Sequence, residues 1–149
     1  MASGLTLQVI ASTVDLKRQV NKRGTAMNVV LWILAGILAV AMLGAGGLKL
    51  VTPKDGLAAK GMELDELPAA AIKGIGALEV LGGIGLVVPA LVNIAPVLVA
   101  WAAVGVAVMM AGAVVFHLRR KEIQGSLPAV ALLVMAVVVA WGRFGAWAF

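Results

Sequence analysis

Three stretches of the chain carry no charged residue: Val29 to Leu48, Val80 to Phe116 and Leu127 to Gly142. A helix needs roughly 20 apolar residues to cross the hydrocarbon of a bilayer. The first and last runs therefore supply one crossing each, and the middle run is too long for one. Inside it, "PALVNIAP" sets Pro89, Asn93 and Pro96 within one short uncharged stretch, which breaks the helix. So short a turn predicts an antiparallel hairpin. Pro53 stops the first helix, and Pro128 suits the first turn of the last. The pattern predicts spans over about 27–49, 70–91, 95–118 and 127–145. The expected fold is an all-α membrane protein, a four-transmembrane-helix bundle. Both ends of the bundle then share one side, here side A, with the 89–96 turn. The charged loops "VTPKDGLAAKGMELDELPAA" and "HLRRKEIQGS" fall on the opposite side, side B.

Residues 1–26 form a separate polar head before the 27–149 bundle. Leu5, Val9, Ile10, Val14, Leu16 and Val20 loosely follow helical spacing, with Lys17, Arg18, Lys22 and Arg23 crowded towards the membrane. The segment reads as an interfacial amphipathic helix, as a plain basic tail, or as an extension ahead of a start at Met27. A cleaved leader fits poorly, because "LGAGGLKL" offers no A-x-A site. Trp32, Trp101, Trp141 and Trp147 all fall near side A, as an interfacial aromatic belt does. Orientation stays open, because lysines and arginines nearly balance across the two sides.

Composition agrees with the pattern. The chain of 149 residues is 62% hydrophobic and 13% charged, against about 45–50% and about 25% for soluble domains. It has no cysteine, which excludes disulfides and dithiol redox chemistry. The net charge of +5 resides in tails and loops beside the spans. Its expected partner is anionic lipid rather than nucleic acid. The expected location is the cell membrane, as a multi-pass protein.

One carboxylate interrupts the apolar pattern. Glu79, in "ALEVLGGIGLVVP", lies about 12 Å below side B by helical rise. Its own face carries Gly76, Gly82 and Gly83, and the opposite face carries Ala77, Leu81, Ile84 and Val88. Small residues permit close helix approach in a bilayer, so Glu79 should point into the bundle. Gly46 and Gly47 are expected to pack in the same way at the end of the first span. By depth, Lys49 and His117 can meet Glu79. Lys73 is about 120° away around the helix, a poor partner. Arg143 lies about 12 Å further along the bundle axis and is expected to snorkel to side A among the tryptophans. An intramembrane ionisable group is by default a proton or ligand site, and the alternative is a Lys-paired brace between helices. No metal set is present, since one histidine and one glutamate fall short of the usual ligand count. Met109 and Met110 read as core filler.

The motifs "LWILAGILAVAMLGAGGLKL", "GALEVLGGIGLVVPAL", "AGAVVFHLRRKE" and "GRF", in that order, resemble the DoxX-like family of small four-helix membrane proteins. The resemblance covers about residues 27–145. It implies recurrent positions at Gly47 with Lys49, Glu79 with Gly82, His117, and Arg143. It thus retains the arginine that depth separates from Glu79. The family name derives from a subunit associated with a membrane quinol oxidase and thiosulfate-oxidising system. The resemblance therefore implies a non-catalytic accessory or assembly subunit of a membrane redox or stress-related complex. A quinone or lipid beside Glu79 is the implied ligand, with no catalytic residue. Two readings from other classes stay open: a small proton-coupled exporter using Glu79, and an enzyme on a hydrophobic substrate using Glu79 and His117 as an acid–base pair.

Overall fold

The computed structural model describes residues 2–62 and 64–149, with the side chains of residues 2–7, 9 and 11 outside the description. Its elements in chain order are α1 (Ala2–Val51), α2 (Lys54–Ala58), α3 (Ala69–Gly85), α4 (Val88–Leu91), α5 (Leu98–Arg119) and α6 (Ile123–Phe144). Among the described residues, four helical stretches are long and apolar enough to cross a membrane: Ser12–Val51, Ala69–Leu91, Leu98–Arg119 and Ile123–Phe144. The protein is a four-transmembrane-helix bundle. α1 packs chiefly on α3 and α5 on α6, and contacts of α1 with α6 and α3 with α5 close the ring.

The helix ends follow from local chemistry, with shifts from the sequence expectation; α5, for one, starts at Leu98 rather than 95. α3 stops at Gly85 rather than running through to 91, and Val87 takes φ −128°. Pro89 explains the break, because its ring clashes with the carbonyl four residues earlier and it has no N–H to give. α6 starts at Ile123, four residues earlier than expected. Lys121 permits this by adopting φ 60°. It lets the N–H groups of Lys121 and Glu122 bond back to the carbonyls of Leu118 and His117 at 3.0 Å each, the Schellman arrangement that normally takes glycine. Pro128 consequently sits in the second turn of α6 rather than the first.

α1 departs furthest from expectation. The boundary at residue 26 is not marked by any break, since no proline occurs from Ala2 to Val51 and the helix is continuous. At 1.5 Å per residue its 50 residues extend about 75 Å, against about 30 Å of hydrocarbon. Side chains from Ser12 to Arg23 are exposed throughout, and the first buried one among the described residues is Leu31. Ile10, Val14, Leu16 and Val20 are exposed, while Leu5 and Val9 lie outside the described side chains.

The core is built from small and branched residues facing one another across the ring: Ala35, Leu38 and Met42 of α1, Ala103 and Val106 of α5, and Ala136 and Val139 of α6. Ile33, Ile37, Val40, Leu81, Val108 and Val134 face outward. Such helices are apolar on every side, as lipid demands outside and packing demands inside. Close approach is concentrated between α1 and α3. A Cβ on Gly46 would come within 2.7 Å of the Gly76 carbonyl and 2.8 Å of Glu79 Cβ. One on Gly83 would meet Leu43 at 2.9 Å, and one on Gly82 would meet Val106 of α5 at 3.0 Å. Gly47 does not share this role, since a Cβ there would meet nothing within 4 Å. It is one residue, or about 100°, round the helix from the Gly46 contact face.

Candidate functional site

Among the described residues, each side of the bundle holds one buried cation, Lys49 or Arg143. On side B, Gly46 and Gly76 bring α1 and α3 together at the level where Lys49 faces Glu79. The Lys49 ammonium donates to both carboxylate oxygens at 2.8 Å. The two residues are only 9% and 4% exposed, so water contributes little to solvating either charge. The sequence expectation that Glu79 turns to the glycine side is met: Ile72, Gly76, Gly83 and Leu86 are buried with it, and Ala77, Leu81, Ile84 and Val88 are exposed. Lys73 keeps away from Glu79 and donates instead to the carbonyls of Leu50 and Thr52 at 2.6 and 3.1 Å, closing the free end of α1.

His117 does not join that pair. Its Nδ1 lies 2.9 Å from Glu122 Oε2, a partner that sequence reasoning missed. Gly125 makes the arrangement possible, because a Cβ there would come within 3.1 Å of Nδ1. Glu122 also accepts from Arg120 Nε at 2.6 Å, and Arg120 reaches on to Glu66 at 3.0 Å. The Arg120 guanidinium first, and the His117 hydrogen bond second, hold the Glu122 carboxyl below its ordinary value of 4.5. With Glu122 ionised, the carboxylate only accepts, so Nδ1 carries the proton. The signal for this pair was the five-residue spacing across a tight helical turn.

Lys49, Glu79 and His117 nevertheless border one space. A cavity of about 910 Å³ opens there, lined by those three groups with Lys121 and Glu122 and by the apolar side chains of Met42, Met110 and Leu132. The expected trio therefore shares a cavity rather than a hydrogen-bond network.

Arg143 occupies the side-A end, far from Glu79 as depth required, but it does not snorkel to water. It is 3% exposed. Its Nη1 donates to Asn28 Oδ1 at 2.6 Å and to the Trp147 carbonyl at 3.0 Å. The guanidinium stacks over Phe149, 3.9 Å from the ring centre, with Trp32 at 5.6 Å. The physical reason is the close contact of α6 with α1, where a Cβ on Gly142 would lie 2.6 Å from Leu31. From the terminal segment, the Trp147 carbonyl and the Phe149 ring lie directly against the guanidinium. The sequence signal for Asn28 was a single polar residue at the mouth of the first span, one turn before Leu31 and Trp32.

A family model described as the DoxX-like family matches residues 33–139, and the chain belongs to that family. The match includes Lys49, Glu79 and His117 and ends before Arg143. No curated protein and no solved structure is significantly similar to the chain.

Proposed function

We propose that this DoxX-like protein is a non-catalytic accessory subunit of a membrane redox or stress-related complex in the cell membrane, and that its side-B cavity holds a quinone or other amphiphilic lipid. One observation carries the reading. The cavity is lined both by ionic groups and by methionine and leucine side chains, the mixed chemistry that an amphiphile needs. Lys49 is committed to Glu79, and His117 to Glu122, so neither carboxylate stands free as a base or nucleophile. An exporter would have to release Glu79 from Lys49 in every cycle, and an acid–base enzyme would have to draw Glu79 and His117 from different partners onto one substrate. Both demands favour a binding role.

The test is recovery of bound lipid. Protein purified in mild detergent should carry a prenylquinone or a specific lipid in its organic extract, seen by mass spectrometry. Ala129→Phe, which places a ring in the cavity that Ala129 lines, should lose it while remaining folded. Extracts that do not differ between the two proteins would remove the cavity from the mechanism, and repeated recovery of the chain alone from native membranes would remove the partner complex.

A further inference from the structure

Arg143 carries five N–H donors in a planar fork. Nη1 is committed to Asn28 and Trp147. Nε and Nη2 are buried and meet no acceptor among the described residues. These two nitrogens share one edge of the guanidinium, and their N–H bonds run parallel along it. That edge is the one that grips a two-oxygen anion through paired hydrogen bonds. Among the described residues, no ion pair supplies Arg143 with a carboxylate. A guanidinium stays charged in any protein environment, so burial with an empty fork is a standing cost that an anion would remove.

Position narrows the anion. Arg143 lies in the last turn of α6, at the level of Trp32, Trp141 and Trp147, where an aromatic belt marks the lipid headgroups. We propose that the Nε–Nη2 edge of Arg143 binds a phosphate group on side A, borne by a phospholipid headgroup or free in solution. Residues 145–149 are the cover that yields to admit it. They have left the helix, and Phe149 stacks on the guanidinium from a segment tied back by backbone bonds from Trp147 to Gly142 and from Ala148 to Gly145. The site is independent of the side-B cavity, so the fate of either reading leaves the other standing.

The experiment uses the full chain, labelled with ¹⁵N-arginine, in maltoside micelles and phosphate-free buffer. The Arg143 Nε–H resonance is identified by its contact with the Phe149 ring and by its absence in Arg143→Lys. Phosphatidylglycerol and inorganic phosphate are titrated separately. A saturable shift of Arg143 with phosphatidylglycerol alone assigns the site to a lipid headgroup, and a shift with both assigns it to phosphate in general. Arg143→Lys keeps the charge but loses the fork, and should bind about tenfold more weakly in a retention assay. Phe149→Ala, which thins the cover, should tighten binding several-fold. No saturable shift with either probe overturns the site, and unchanged or weaker binding by Phe149→Ala overturns the cover.

Discussion

The two buried cations of this protein are handled in opposite ways. Lys49 on side B meets a carboxylate that takes its charge through two 2.8 Å bonds. Arg143 on side A meets one amide oxygen, one carbonyl and two aromatic rings, with its Nε–Nη2 edge unused. The difference is one of completeness. A pair closed within the chain ties α1 to α3, whereas the buried Nε and Nη2 of Arg143 are left without an acceptor among the described residues. Removing one partner from a closed buried pair strands the other charge, while replacing both with apolar groups is often harmless.

The strongest way to break the contrast is to open the closed pair. Glu79→Ala, which strands Lys49, should destabilise the bundle by about 3–5 kcal/mol. Lys49→Met combined with Glu79→Leu should recover most of that loss. Denaturation in mixed micelles measures both. If Glu79→Ala unfolds no more readily than wild type, Glu79 is not closed by Lys49 in the membrane.

A smaller effect is expected from the glycines that allow the pair to form. Gly46→Ala drives a methyl against the Gly76 carbonyl and should cost about 1–3 kcal/mol. Gly47→Ala meets only open space and should be neutral or stabilising by up to about 1 kcal/mol. Side-by-side melting curves of the two variants decide the matter, and equal losses would show that helix contact is not what Gly46 serves.

The smallest effect concerns the half-buried ion network of His117, Glu122 and Arg120. Glu122 titrates lower in the folded protein than in the unfolded chain, so its contribution to stability is present above the unfolded carboxyl value and is lost as pH falls through the lower folded value. Wild type should therefore lose slightly more stability than Glu122→Gln on acidification from pH 6 to below about 4. Superimposable pH profiles would show that Arg120 and His117 do not hold Glu122 as the geometry has it.

Much of this architecture was legible beforehand, and the exceptions have physical causes. The glycine face of α3 announced the inward turn of Glu79, because Gly76, Gly82 and Gly83 share its side of a 3.6-residue helix. Depth along the spans chose Lys49 over Arg143, because axial rise is fixed at 1.5 Å per residue. The same arithmetic placed His117 near Glu79 but missed Glu122. A turn that folds Glu122 back onto His117 depends on Lys121 adopting φ 60°, which a lysine does not advertise. Gly47 was grouped with Gly46 because composition alone does not say which side of α1 meets α3.

The linear pattern by itself determined the class, the four spans and the inward carboxylate, with Lys49 and His117 as its candidate partners, since all of these follow from apolar length, helical period and the cost of charge in hydrocarbon. Only the tertiary structure decided that α1 continues unbroken through residue 26, that His117 belongs to Glu122, and that Arg143 is sealed rather than snorkelling. Those outcomes depend on how closely helices approach and how a terminal segment folds back. Such distances are set by contacts between residues far apart in the chain, and no local spacing encodes them.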